Sequence, residues 1–249
     1  MITDNGRNPD DDAIYSRPVR KIADFVFDET VARVFPDMIE RSVPGYAALV
    51  PLIGMLAEFY VQPQSRCYDL GCSLGAVSLA ITRFLQSSDK DMRGCRIVAV
   101  DNSAAMIERC RRNLQDGGGK HPIDIVCADI QTVEITDASV VVLNFTLQFI
   151  EPSARASLIK KIHVGLRPGG VLILSEKIPD DTVLTGLHHA FKKANGYSEL
   201  EIAQKRTALE KVLIPESIET HRSRLQAAGF AQVHTWFQCL NFVSLLALK

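Results

Sequence analysis

The stretch "YDLGCSLGAVSLA", residues 68–80, sets an acid, Asp69, before Gly71, Ser73 and Gly75 at two-residue spacing, and then turns helical. Glycines at 71 and 75 let the backbone pass close to a ligand and turn sharply. Polar residues recur downstream where apolar runs end: Asp101–Asn102 after "CRIVAV", Asp129–Ile130 after "IDIVCA", and Asn144 after "SVVVL". Asp101 can accept hydrogen bonds from both hydroxyls of a ribose, and Asp129 with the amide beside it can read an adenine edge. Taken singly, an Asp in such a place is more often a helix cap or a turn residue. Polar residues at four successive strand ends describe a pocket for an adenosine-containing ligand, because open α/β sheets bind ligands outside the carboxyl ends of their strands.

The elements that must position these groups follow from periodicity. Residues from about 23 to 62 read as a helical lead-in broken by Pro36, Pro44 and Gly45. Short apolar strands then alternate with helices. "AVSLAITRFLQ" turns Val77, Ile81 and Phe84/Leu85 to one side. "SAAMIERCRRNLQ", with Ser103 as N-cap, turns Met106, Ile107, Cys110 and Leu114 inward, and "SARASLIKKIHVGL" does so with Leu158, Ile159, Ile162 and Leu166. This alternation predicts a parallel sheet covered on both faces. Residues 180–228 hold three helical segments where one crossover would do. The end, "FAQVHTWFQCLNFVSLLALK", reads as two strands joined near Gln238–Asn241, which must pair as an antiparallel hairpin. Residues 1–22 read as a flexible polar tail before a single domain, 23–249.

Bulk properties exclude several classes. The 249-residue chain is 47% hydrophobic and 23% charged with a net charge of −1, so no global field draws it to nucleic acid or an anionic membrane. No apolar run reaches the length of a membrane span, and the first residues hold no apolar core of a secretory signal. The six cysteines form no C-x-x-C pair and stand mostly in apolar runs, as small buried hydrophobes of a reducing, cytoplasmic compartment. His188 and His189 are adjacent and face different ways on a helix, which argues against a metal site. "RCRR" at 109–112 reads as a solvated helix face.

Two ligand classes compete for the loop. A dinucleotide site wants glycines at the first, third and sixth positions, where this chain has Gly71, Ser73 and Ala76. Small residues at the first, third and fifth positions after an acid fit better, and they match the pattern of S-adenosylmethionine (SAM) enzymes, whose ligand has no pyrophosphate. The terminal hairpin also belongs to that fold. The expected fold class is therefore α/β: a Rossmann-like class I SAM-methyltransferase fold, with a seven-stranded, mostly parallel sheet, a C-terminal antiparallel hairpin and a helical insertion before it.

More specific stretches, "FDETVARVFPDMIERSVPGY", "YDLGCSLG", "DNSAAMIERCRRN", "VVLNFTLQF", "FKKANGYSELEIAQKR" and "WFQCLNF", together resemble the carboxy-S-adenosylmethionine synthases, relatives of SAM methyltransferases that serve wobble-uridine modification in bacterial tRNA. The resemblance runs from about residue 23 to the end and departs only in the acidic N-terminus and the loop "SSDKDMRG". It implies conversion of SAM and prephenate to carboxy-SAM and phenylpyruvate, without metal, by a homodimer that binds neither tRNA nor membrane. Tyr46, Gly71, Cys72, Ser73, Asp101, Asn102, Asp129, Ile130 and Asn144 would line the SAM pocket, Cys72 lending its backbone. Arg206 would hold the new carboxylate, in its own or the neighbouring subunit's pocket. Charge supports this role, since a carboxylate beside the sulfonium needs a cation in a site built for a methyl group. Two other readings share the pocket: a small-molecule methyltransferase and a non-catalytic SAM-binding subunit.

Overall fold

The computed structural model describes residues 8, 10–90, 93–116, 121–179 and 182–249. The expectations for residues 1–7 and 9 of the tail, 91–92 of the loop before the second strand and 180–181 of the insertion fall outside this set. Seven strands form one sheet: β1 (Arg66–Leu70), β2 (Arg96–Asp101), β3 (Ile123–Cys127), β4 (Ala138–Asn144), β5 (Leu166–Lys177), β6 (Gln232–Cys239) and β7 (Phe242–Leu248). Their order is β3-β2-β1-β4-β5-β7-β6, parallel through β5, with β7 antiparallel to both β5 and β6. The C-terminal hairpin is as expected, and β7 inserts between β5 and β6.

Eight α-helices accompany the sheet among the described residues: α1 (Glu29–Ser42), α2 (Tyr46–Tyr60), α3 (Ala76–Gln86), α4 (Ala104–Asp116), α5 (Pro152–Gly165), α6 (Thr182–Ala194), α7 (Glu199–Leu209) and α8 (Ile218–Ala228). The sheet's two faces bury alternate residues of the same strands, as period-two geometry requires. Val141 and Leu143 pack with Ile159 and Leu225 beneath α5 and α8, while Val140 and Val142 pack with Ile53 and Ile81 beneath α2 and α3.

Sequence and structure differ at Pro36, which does not break its helix. It stands on the exposed side of α1, while Val31, Val34 and Met38 bury the opposite side and hold the helix together. The break falls at Pro44–Gly45, where Gly45 adopts φ +80° and α1 and α2 meet at 99°. Leu166, expected on α5, opens β5 instead; a Cβ at the preceding Gly165 would collide with the carbonyl of Ile135, so the helix end is packed tightly on the loop before β4. Cys67, Cys72, Cys95 and Cys110 are buried, but Cys127 is exposed because β3 is an edge strand, and Cys239 is half-buried at the hairpin turn.

The tail differs most from expectation. Asp12 is only 2% exposed and, although its stretch is polar, it docks by filling a buried polar socket. Its carboxylate accepts from the Tyr197 hydroxyl and from Lys205 Nζ at 3.3 Å, and its N–H donates to Asp37 at 2.6 Å. Arg41 stacks 4.1 Å above the Tyr197 ring and donates to Asp37 and to the carbonyl of Asn195. Gln204 of α7 donates to the carbonyls of Tyr15 and Arg17 and accepts from Val19 N–H. The segment around 12–19 is therefore a strap that fastens α1 to α7. Removing Asp12 leaves the Lys205 ammonium buried without its counter-charge, and breaking a buried ion pair in this way costs about 3 kcal/mol. Asp12→Ala should lose about that much in urea unfolding; a loss below about 1 kcal/mol would show that the strap is an accessory.

Candidate functional site

All ten residues singled out from the sequence border one cavity of about 1410 Å³ at the carboxyl ends of the parallel strands. It lies where the strand order reverses between β1 and β4, the expected ligand crevice of such a sheet. Register brings the ends level: Leu70 pairs with Val100, Asp101 with Cys127, and Asn144 with Ser175. Small-molecule pockets typically measure about 300–1,000 Å³, so the cavity has room for more than a nucleoside.

The loop after β1 is built by its spacing. Gly71 has φ +81°, and a Cβ there would collide with Thr146 from the loop after β4. Gly75, at φ +86°, begins α3 with Cys110 Sγ 2.9 Å from where a Cβ would sit. Ser73 also takes a left-handed conformation, φ +50°, at a cost that a non-glycine residue bears only when held. The hold is Asp101, whose Oδ2 accepts from Ser73 N–H at 2.9 Å while Oδ1 accepts from Ser103 N–H at 2.9 Å. Each carboxylate oxygen keeps a second lone pair for a ligand hydroxyl. Burial raises the Asp101 pKa, and backbone donors oppose the rise.

Asp69 works behind the loop. Only 1% exposed, it accepts from Ser78 N–H at 3.0 Å and Ser78 Oγ at 2.7 Å, anchoring the first turn of α3, and burial pushes it up to about 6. Cys72 stands on the cavity wall. Its N–H donates to Val100 and its carbonyl accepts from Gly75, which leaves the carbonyl one lone pair. The neighbouring Cys110 thiol and burial hold the Cys72 thiol far above the ordinary range, protonated and not nucleophilic.

Asp129 combines the two readings weighed for it. Its Oδ1 accepts from Gln131 N–H at 2.8 Å, closing a turn, yet the residue is exposed and borders the cavity with Asn102 and the buried Ile130. Tyr46, the first residue of α2, has its phenol pushed up by burial and by the nearby Asp69. Asn144 Oδ1 is buried with no hydrogen-bond partner. A buried unpaired acceptor is costly, so this atom is suited to a cationic donor such as an α-ammonium. Arg206 lies exposed on α7 at the cavity wall.

Several wall residues escaped the sequence reading. Phe25 and Phe27 cross the site as an extended segment, tied by Phe25 N–H to Ala208 of α7 and by the Ser103 hydroxyl to the Phe27 carbonyl at 2.6 Å. Phe27 meets Phe149 edge-on at 5.2 Å. The alternation in "FVF" before the Asp28 N-cap was the available signal. His188 and His189, expected on different faces, both border the cavity. His188 is buried with Nε2 2.9 Å from the Ser42 carbonyl and its ring against Phe242, and burial lowers it to about 3. Among the described residues no group of three His, Cys, Asp or Glu side chains is placed to hold a metal.

Glu176, next to the end of β5, supports the loop that carries Asn144 and Thr146. Its Oε1 accepts from Leu147 N–H at 2.9 Å, its Oε2 has no partner, and burial raises it to about 8 against an ordinary 4.5. The folded chain therefore keeps a proton that the unfolded chain releases, so this group favours folding below about pH 4.5 and loses that contribution as pH rises towards 8. Glu176→Gln is neutral at every pH and nearly isosteric. In denaturant melts, wild-type stability relative to Glu176→Gln should fall between pH about 4.5 and about 8; a difference that does not change with pH would refute the protonated carboxyl.

Comparison with known proteins agrees with this architecture. A family model described as a methyltransferase domain matches residues 68–170. A carboxy-S-adenosyl-L-methionine synthase of Photobacterium profundum is 56% identical over 243 residues, 96% of this chain and 98% of that one. The synthase of Yersinia pestis (strain Pestoides F) is 54% identical over 246 residues, 97% of this chain and 90% of that one. Solved structures share the fold at low identity. An O-methyltransferase family protein from Burkholderia thailandensis has a TM-score of 0.62 at 16% identity, covering 90% of this chain and 60% of that one. The SAM complex of human N-acetylserotonin methyltransferase has a TM-score of 0.55 at 16% identity, covering 89% and 55%. With more than half its residues shared with curated synthases over nearly its whole length, this chain belongs to the carboxy-S-adenosyl-L-methionine synthase family and is an enzyme that takes SAM as substrate.

Proposed function

We propose that the enzyme draws the carboxyl group from prephenate, releasing phenylpyruvate, and that its product serves as carboxymethyl donor for tRNA wobble-uridine modification. The observation that carries the reading is the cavity: the ten expected SAM residues border one wall system that also has space and cationic side chains for a second, acidic substrate. SAM would lie along the strand ends, its ribose on Asp101, its adenine between Asn102 and Asp129–Ile130, and its ammonium on Asn144 Oδ1. Tyr46 and the loop of Gly71, Cys72 and Ser73 would close around the methionine arm.

Prephenate loses its ring carboxylate as carbon dioxide, the ring becomes aromatic, and its hydroxyl departs. The SAM methyl carbon loses a proton to become a sulfonium ylide, stabilised by the adjacent positive sulfur, and its electron pair forms the new bond to carbon dioxide. The expelled hydroxide takes the methyl proton and leaves as water, so no protein base is required. This suits a site in which the buried histidine of the wall, His188, spends Nε2 on Ser42 and is a weak base. The wall of Phe25, Phe27 and Phe149 keeps water from both ylide and carbon dioxide. Arg206 then pairs with the new carboxylate.

We further infer a homodimer through the insertion, because Val183 and Leu187 on α6 and Leu200 on α7, the helix that carries Arg206, stand exposed. The compartment is reducing and cytoplasmic on this reading, in keeping with six free cysteines.

Mass spectrometry of SAM incubated with the enzyme tests the chemistry. A SAM species heavier by one carbon dioxide, formed with phenylpyruvate only when prephenate is present, is expected; unchanged SAM in the presence of SAM-loaded, folded enzyme would reject prephenate. Arg206→Ala should lower carboxy-SAM formation at least ~100-fold, given about 3 kcal/mol for a lost charged hydrogen bond. Mixing Arg206→Ala with Asp101→Ala chains tests sharing across subunits: recovered activity supports it, and none assigns Arg206 to its own pocket.

A further inference from the structure

Two substrates of opposite charge must share this cavity, and its polar lining falls into two chemical groups. Acids and amides come from the strand ends: Asp101, Asn102, Asp129 and Asn144. A second group comes from a single face of α6. Thr185, His188, His189 and Lys192 border the cavity at helical positions i, i+3, i+4 and i+7, one continuous stripe. Val183 and Leu187 lie on the opposite face and stand exposed. The helix therefore turns a basic, hydrogen-bonding stripe inward and an apolar one outward, the reverse of the pattern a surface helix uses to join a core.

Lys192 is the stripe's own cation, and further cations surround it. His188 lies in the field of Lys192, Lys177 and His189, and His189 in that of Lys192, Arg206 and Lys193, with Glu199 as the carboxylate acting on it. Lys177 ends β5 and also borders the cavity, so cations from α6, β5 and α7 converge on one region. Glu40 and Glu210 border the cavity too, on α1 and just past α7. His188 is pinned by Ser42, and Ser42 Oγ accepts from the buried Lys205 at 3.0 Å, so the strap that holds α7 also fixes the stripe.

Resting on the prephenate reading, we propose that the α6 stripe, with Lys192 as its principal cation and His189 and Thr185 as hydrogen-bonding partners, is the subsite for the 2-oxo-acid arm of the carboxyl donor. The donor is a dianion. Its ring carboxylate is transferred and passes to Arg206, so the carboxylate that remains through the reaction needs a different cation. Lys192 is a positioning and specificity residue here: it selects acids with a 2-oxo-carboxylate arm and aims the ring carboxylate at the SAM methyl group.

The test compares wild type with Lys192→Gln and Lys192→Arg, using prephenate as substrate and phenylpyruvate, which keeps the arm but lacks the ring carboxylate, as inhibitor. Lys192→Gln should raise KM for prephenate at least ~10-fold and weaken phenylpyruvate inhibition by a similar factor, with the Kd for SAM unchanged. Lys192→Arg should recover most of both. A Lys192→Gln enzyme with wild-type KM and inhibition overturns the subsite, as does an equal loss of SAM affinity, which would mark a structural role. If wild type makes carboxy-SAM but phenylpyruvate does not compete with prephenate, the arm does not bind as proposed. Failure of the prephenate reading itself is distinct: wild-type enzyme then makes no carboxy-SAM from prephenate at all.

Discussion

The Asp101 carboxylate accepts one hydrogen bond from the loop after β1 and one from the loop after β2, and the site's geometry depends on this shared acceptor. Its bond from Ser73 N–H offsets the left-handed backbone of a residue that is not glycine. That backbone lets the chain turn between Gly71 and Gly75 and enter α3, whose first turn is fixed by the buried Asp69. A carboxylate committed to two amides still has lone pairs for two ribose hydroxyls. The same atoms thus hold the loop and present the ligand surface, so little reorganisation is needed when SAM arrives.

The polar machinery outside the loop is carried by buried networks rather than by surface ion pairs. Asp12, Tyr197, Lys205 and Ser42 form one such network, and its far end is the pocket histidine His188. Buried charges of this kind add little net stability compared with apolar packing, but they tolerate only one arrangement. The arrangement they enforce holds α6 and α7 against α1, with the basic stripe of α6 inward.

Much of this was legible from sequence. The Gly71–Ser73–Gly75 spacing, the polar strand ends and the alternation of strands and helices located the sheet and a set of residues that border one cavity, because each rests on local periodicity or on turn chemistry. What escaped depends on contacts distant in sequence. Asp12 lies 193 residues from Lys205, and nothing in an Asp-rich tail distinguishes the one carboxylate that is buried. Pro36 looked like a helix break because the burial of Val31, Val34 and Met38 on the other side of α1, not its own chemistry, decides the outcome. His188 and His189 were judged by their adjacency; a curved cavity wall can still meet neighbouring residues of one helix.

On the proposed reaction, carbon dioxide passes from the donor ring to the SAM methyl carbon within this one cavity without mixing with solvent. Prephenate labelled with carbon-13 in its ring carboxylate, turned over in excess unlabelled bicarbonate, tests this directly by mass spectrometry of the carboxy-SAM formed. The account predicts full retention of label in the new carboxylate and none in phenylpyruvate. Carboxy-SAM carrying unlabelled carbon from the bicarbonate pool would contradict it.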